Sequence, residues 1–300
     1  MKRDLLTIRD LSKEEIMTLI ERGLELKAEG RNIKRSLTGR ILGLMFDKAS
    51  TRTRVSFEAA MYRLGGNTVF LSRADTQMSR DESIEDTARV LSRYIDIIAV
   101  RTYSQELVIE MAKWSDVPVI NALTDLYHPC QVLSDIMTVK EKKGRLEDLK
   151  VAWIGDGNNV AHSWINAARI IGFELSLACP SGYHPLPEVL EGVGKNIRLS
   201  DQPGEAAKGA DIINTDVWAS MGQEDQKGQR VSDFDGFQVD KDLVNMAKPD
   251  VMVMHCLPAH REEEITSEVL DGPNSIVFDQ AENKLYLHQA LLEMLLDKRR

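Results

Sequence analysis

Cysteine is scarce in this 300-residue sequence, and its three copies, Cys130, Cys179 and Cys256, are odd in number and widely spaced. That excludes a disulfide framework and a cysteine-built zinc site, and it suits reduced thiols. Net positive charge is also lacking. The formal balance is −9, with 38 Lys and Arg against 47 Asp and Glu. A nucleic-acid or membrane surface as the main partner would need a basic excess on one face, so any anion site must be a local cluster. No apolar run approaches the roughly 20 residues that span a bilayer, and Met1-Lys2-Arg3-Asp4 does not lead into the apolar core of a secretory signal. The expectation is a cytoplasmic protein without a membrane segment. Low-complexity tracts are absent too, which argues against disorder, and no sequence repeat is present.

What is present is ordinary globular material, 43% hydrophobic and 28% charged. The length is about twice a usual domain of about 100–200 residues, so two domains are expected. Ser12 followed by Glu15 forms a capping box ahead of Ile16, Leu19, Ile20 and Leu24, which predicts a helix running to Gly30. Short apolar runs then predict strands over 41–46, 68–71, 95–100 and 117–120, separated by helical patterns such as 55–64 and 82–91. Pro129 suits the first turn of a long helix ending near Gly144. The second half repeats the scheme, with strands over 151–154, 175–178, 211–214, 251–254 and 275–278. An amphipathic helix closes the chain. The alternation predicts an α/β protein with two doubly wound parallel-sheet lobes, helices on both faces, a long joining helix and a C-terminal helix returning to the first lobe. Residues 1–145 with 284–300 would form one domain and residues 146–283 the other.

Four motifs carry chemistry. Ser50-Thr51-Arg52-Thr53-Arg54 follows a strand and opens a helix, where unpaired N–H groups, hydroxyls and guanidinium match phosphate oxygens. A plain hydroxyl cap with solvated arginines is the blander reading. His128-Pro129-Cys130-Gln131 again leads into a helix, and Arg101 ends a strand. Both lie at strand carboxyl ends, where α/β sheets bind ligands, so His128 and Arg101 could polarise a carbonyl oxygen. Gly155-Asp156-Gly157-Asn158-Asn159-Val160 suggests a dinucleotide turn but lacks the third glycine, and Cys179-Pro180 stands where a ribose-binding acid belongs. A tight strand-to-helix turn is the better account. Asp216-Val217-Trp218-Ala219-Ser220-Met221-Gly222 and His255-Cys256-Leu257-Pro258 follow the later strands. Asp216 could hold an ammonium, and Asn159 with amides near Met221 a carboxylate, a combination that fits an amino acid. Cys256 is either a small buried hydrophobe or a thiol that orients a substrate amine; as a nucleophile it would need a base, and alternation along the strand turns His255 away.

In this order the motifs resemble the ornithine carbamoyltransferases, over essentially the whole chain. The 50–54 and 128–131 strings resemble signatures shared with aspartate carbamoyltransferases. The 216–222 and 255–258 strings resemble the ornithine versions, since the aspartate enzymes have a Pro-Leu-Pro run where Cys256 stands. The resemblance implies that Ser50, Thr51, Arg52 and Thr53 bind the phosphate of carbamoyl phosphate, that Arg101 and His128 contact its carbonyl oxygen, and that Gln131 contacts its amide. Asn159, Asp216, Ser220 and Met221 would bind L-ornithine, with Cys256 and Leu257 lining the point where the substrates meet. Arg101, His128 and Cys256 would be catalytic. Gln77 resembles a position from which a neighbouring subunit completes the pocket, which implies a homotrimer with shared sites. Lys284 stands in Ala281-Glu282-Asn283-Lys284 where the family has an arginine; charge at the carbamoyl phosphate site is kept, but not the planar fork. The implied product is citrulline, a step of arginine biosynthesis, with no metal or cofactor. Carbamoyl transfer to another acceptor such as putrescine or an N-acylated ornithine, a silent paralogue, and a phosphosugar-binding protein are the competing readings.

Overall fold

Ile41-Leu42-Gly43-Leu44-Met45-Phe46 is apolar almost throughout because it lies at the interior of a sheet covered on both faces. The computed structural model describes residues 2–72, 81–219, 222, 225 and 227–296. This strand, β1 (Ile41–Phe46), joins β2 (Asn67–Ser72), β3 (Ile97–Arg101) and β4 (Val119–Leu123) in a parallel sheet ordered β2-β1-β3-β4. The helices here are α1 (Lys13–Glu29), α2 (Arg52–Arg63), α3 (Ile84–Leu91), α4 (Gln105–Trp114) and α5 (Pro129–Lys143). The capping box of α1 forms in both directions: the Ser12 hydroxyl accepts from the Glu15 N–H, and the Glu15 carboxylate from the Ser12 N–H at 2.9 Å. Ile16, Leu19, Ile20 and Leu26 form its buried stripe.

A second parallel sheet comprises β5 (Lys150–Ile154), β6 (Glu174–Ala178), β7 (Ile197–Ser200), β8 (Ile212–Thr215) and β9 (Met252–His255), ordered β7-β6-β5-β8-β9. Its helices are α6 (Asn159–Ile171), α7 (Pro187–Leu190), α8 (Pro203–Ala207), α9 (Lys227–Asp233), α10 (Lys241–Asn245) and α11 (Ser267–Leu270), and α12 (Val277–Leu296) ends the described chain. By contacts the chain divides into two compact units, Met1–Met137 with Glu282–Arg300, and Thr138–Ala281. The protein is α/β, with two parallel sheets flanked by helices. The long helix α5 carries the chain from the first unit into the second, and α12 returns it to the first.

Two elements differ from the pattern reading. Residues 275–278 are not a strand: only Ser275 bridges Val253, and α12 begins at Val277. The buried positions Val277, Gln280, Lys284, Leu287, His288 and Leu291 run at helical spacing, while Phe278 points outward at 69% exposed, so the helical period of α12 overrides a locally strand-prone run. Strand β7 escaped notice because Ile197-Arg198-Leu199-Ser200 has only two apolar residues and sits at the sheet edge against β6.

Strand order fixes where ligands can enter. In the first sheet the chain passes from β1 out to β2, then crosses to β3 on the other side of β1. In the second it passes from β5 through β6 to β7, then crosses to β8. At each crossing the loops leaving adjacent strands diverge and open a crevice at the carboxyl edge.

Candidate functional site

The first crevice lies between the loops that leave β1 and β3. Register pairs Phe46 with Arg101, so the loop carrying Ser50 starts beside the end of β3. Two bonds hold it there: the Asp47 N–H donates to the Arg101 carbonyl at 2.8 Å, and the Thr102 hydroxyl to the Asp47 carboxylate at 2.7 Å. Buried Lys48 pairs with Asp125, three residues before His128, tying this loop to the one that enters α5. Thr51 occupies the cap position of α2, but its hydroxyl makes no capping hydrogen bond. The plain-cap reading therefore fails at this residue, and the helix N-terminus keeps its N–H groups for another acceptor. Arg52 has no ion pair among the described residues, whereas Arg54 is bound to Glu58 at 2.9 Å and lies over the Phe70 ring at 3.5 Å. Thr53 is buried and Ser50 half-buried.

His128 and Arg101 are both buried, and Lys284 of α12 is only 5% exposed. Burial first, then the charges of Lys284 and Arg101, holds the His128 imidazole well below its usual range, so it stays neutral around pH 7. A neutral imidazole among cations can donate one hydrogen bond without adding charge. Gln131 lies in the first turn of α5, where Pro129 takes the first helical position. Its amide accepts from Lys284 Nζ at 2.9 Å and donates to Asp135 at 2.8 Å. Burial pushes the neighbouring Cys130 thiol up to about 12, which keeps it protonated and inert.

The second crevice lies where β5, β8 and β9 end. Ile154 pairs with Thr215 and Thr215 with His255, so Gly155, Asp216 and Cys256 follow side by side. The Asp216 carboxylate accepts from Asn158 Nδ2 at 2.9 Å, from the Val217 N–H at 2.9 Å and from the Cys256 thiol at 3.0 Å. Asn158, which the sequence reading passed over, also caps α6 by accepting from the Val160 and Ala161 N–H groups. Asn159 is the first residue of α6, half-buried beside it. The His255 ring is held at both nitrogens: its Nδ1 accepts from the Leu257 N–H at 2.9 Å and its Nε2 meets the buried Glu264 at 3.0 Å. Asp216, His255 and Cys256 offer ligand-type atoms within 4.8 Å, but both imidazole nitrogens are engaged. Leu257 is held at φ +57°, an uncommon left-handed conformation for a leucine. Gln77, Ser220 and Met221 lie outside the described residues.

Asp156 completes this crevice from β5. Desolvation raises its carboxyl to about 6 against the opposing pull of Arg230, whose Nη1 bonds it at 2.8 Å and also donates to the Trp218 carbonyl. Arg230 was not legible as a site residue, because only the fold brings it beside a loop 74 positions earlier.

Two switch-point crevices, one cationic at a helix N-terminus and one built around a buried acid, define an α/β protein with two candidate ligand sites of unlike charge. The chain belongs to the aspartate/ornithine carbamoyltransferase family: the model of its carbamoyl-P binding domain matches residues 3–141, and that of its Asp/Orn binding domain residues 147–295. An ornithine carbamoyltransferase of Desulfotalea psychrophila is 55% identical, covering 99% of this chain and 100% of that one. The structure is similar to ornithine carbamoyltransferase from Pyrococcus furiosus, with a TM-score of 0.96, 48% identity and coverage of 100% and 98%. It is also similar to the anabolic ornithine carbamoyltransferase of Campylobacter jejuni, with a TM-score of 0.93, 42% identity and coverage of 99% and 100%.

Proposed function

We propose that this chain transfers the carbamoyl group of carbamoyl phosphate to the δ-amine of L-ornithine, giving L-citrulline and phosphate. The observation that carries the choice of acceptor is the Asp216–Cys256 pair at the carboxyl edge of the second sheet, a buried acid with a thiol donating to it at 3.0 Å. An acid in that position suits an amino-acid ammonium or amine by a charge-assisted hydrogen bond. Asn159, with Ser220 and Met221, is assigned the rest of ornithine.

On this reading the N-terminus of α2, with Ser50, Thr51, Arg52 and Thr53, holds the phosphate. Arg101 and neutral His128 donate to the carbonyl oxygen, where negative charge develops as the tetrahedral intermediate forms. Gln131 accepts from the carbamoyl amide, with Lys284 beside it. Cys256 and the Leu257 turn align the attacking amine. The neutral amine attacks the carbonyl carbon, the C–O bond to phosphate breaks, and the amine's proton is lost to solvent. The reaction calls on no metal or cofactor.

The same reading assigns a homotrimer acting in the cytoplasm and in the biosynthetic direction. Supporting the assembly is an exposed face of α2, with Val55 and Tyr62 open to solvent around a concavity that Glu58, Ala59, Asn67 and Thr68 also line. Large apolar side chains gathered on one face mark interaction surfaces. Among the described residues no helix is long and apolar enough to cross a membrane.

The deciding experiment offers carbamoyl phosphate with ornithine, putrescine, N-acetylornithine and aspartate separately, and reads the ureido product. Citrulline from ornithine alone is expected, with the rate rising from pH 6 to 9 as the amine loses its proton. Product from a different acceptor would displace the roles given to Asp216, Ser220 and Met221. No product at all would favour a silent binding protein.

A further inference from the structure

Gln131 is bound at both ends by groups of opposite hydrogen-bonding character. Lys284 Nζ donates to its Oε1 at 2.9 Å, and its Nε2 donates to Asp135 at 2.8 Å. All three side chains are buried in the first unit, with Asp135 fully so. Gln131 and Asp135 are four residues apart on α5 and so share a face. An ammonium only donates and a carboxylate only accepts. A flipped amide would set N–H against N–H at one end and oxygen against oxygen at the other, in a site with little water to soften either clash. The orientation is therefore dictated. Oε1 also has two lone pairs, of which Lys284 takes one.

We propose that Lys284 and Asp135 lock the Gln131 amide so that its oxygen meets the N–H of carbamoyl phosphate, making this relay the device that selects a carbamoyl over an acyl phosphate. The inference rests on the reading above that Gln131 meets the carbamoyl amide, and it changes the role of Lys284. Lys284 is a positioning residue that acts through Gln131, and the phosphate is left to α2 and Arg52. Its chemistry agrees: a single-point donor suits one amide oxygen, whereas the arginine found here in the family offers a fork shaped for phosphate. Acetyl phosphate is the discriminating probe, because it keeps the phosphate and carbonyl and replaces NH2 by CH3. A site built around an acceptor rejects a ligand that lacks the donor, since the acceptor is then left buried and unmet.

The experiment is calorimetric titration of the intact protein with carbamoyl phosphate and with acetyl phosphate, for wild type, Lys284→Met, Gln131→Ala and the double variant. Wild type should favour carbamoyl phosphate by roughly tenfold or more, the worth of one well-made hydrogen bond in a buried site. Losing a buried cation weakens both anions by a common factor, so the ratio of affinities is the readout. Lys284→Met, which leaves Asp135 as the sole constraint on the amide, should lower that ratio severalfold, and should leave it unchanged when added to Gln131→Ala. Asp135→Asn gives an independent arm, since an amide at 135 no longer dictates the orientation and the ratio should fall again. Equal weakening of both ligands by Lys284→Met, with the ratio kept, overturns the relay and makes Lys284 a phosphate ligand. If wild type forms citrulline in that case, only the relay has failed. A wild-type preference that survives Gln131→Ala overturns the assignment of Gln131 and the inference together.

Discussion

Arg52 and Arg54 stand two residues apart in one motif and meet different ends. Arg54 is held by Glu58 one turn along α2 and by the face of Phe70 on β2, while Arg52 has no ion pair among the described residues. Arg52→Ala should therefore weaken carbamoyl phosphate binding by tens-fold, since a charged hydrogen bond contributes about 1.5–3 kcal/mol, and calorimetry would show it. Arg54→Ala should change that affinity far less. Glu58 could be seen as a partner from spacing alone; Phe70 could not, because it belongs to another strand. His128 and His288 give a second prediction. Both are buried, and burial followed by the charge of Lys284 holds each well below the usual value near 6.5. Between the folded and unfolded values the unfolded chain binds more protons, so stability is full above about pH 6.5 and is lost as pH falls toward the folded values. The melting temperature should drop from about pH 7 to 5, and His288→Asn should make that drop shallower. Equal slopes in the two proteins would assign acid sensitivity to other groups.

Two glycines of the turn after β5 are required for different reasons. Gly155 takes φ +130°, which side chains rarely adopt, yet a Cβ there would meet nothing closer than 3.5 Å. Gly157 has no such conformation to satisfy; its Cβ would fall 2.5 Å from the carbonyl carbon of His184, in backbone that cannot swing aside. Gly157→Ala should cost at least about 1–3 kcal/mol in urea unfolding, the usual penalty for overpacking, and should raise the KM for ornithine because Asn158 and Asn159 follow directly. The sequence pattern alone made this stretch look like a damaged dinucleotide turn. Its place beside the candidate site became legible only with the bond from Asn158 to Asp216. Element types were readable wherever period and length agreed, as in α1 and β1. They were misread where a four-residue run had only its own propensity to offer, as at 275–278 and in β7.

At the scale of the molecule, the assignment of Gln77 to a neighbouring subunit makes a prediction of its own. Arg52→Ala and Gln77→Ala proteins should each be nearly inactive, and hybrids assembled from the two should regain activity, because some sites then draw both intact residues from different chains. No recovery, with mixed oligomers verified by mass, would place Gln77 in its own subunit's site. Light scattering on wild type and Tyr62→Glu checks the apolar face of α2 at the same time, with a smaller particle expected from the variant. By itself the sequence determined the two-sheet α/β plan, the hydroxyl and arginine string at a helix start, and the acid and thiol at later strand ends. Those depend on local period, caps and residue chemistry, which travel with the chain. Tertiary structure decided which arginine is engaged, which asparagine bonds Asp216, that Arg230 reaches Asp156, and that Lys284 reaches Gln131 across 153 positions. Such pairings follow from strand order and helix register, and residues far apart in the chain carry no local sign of whom they will meet.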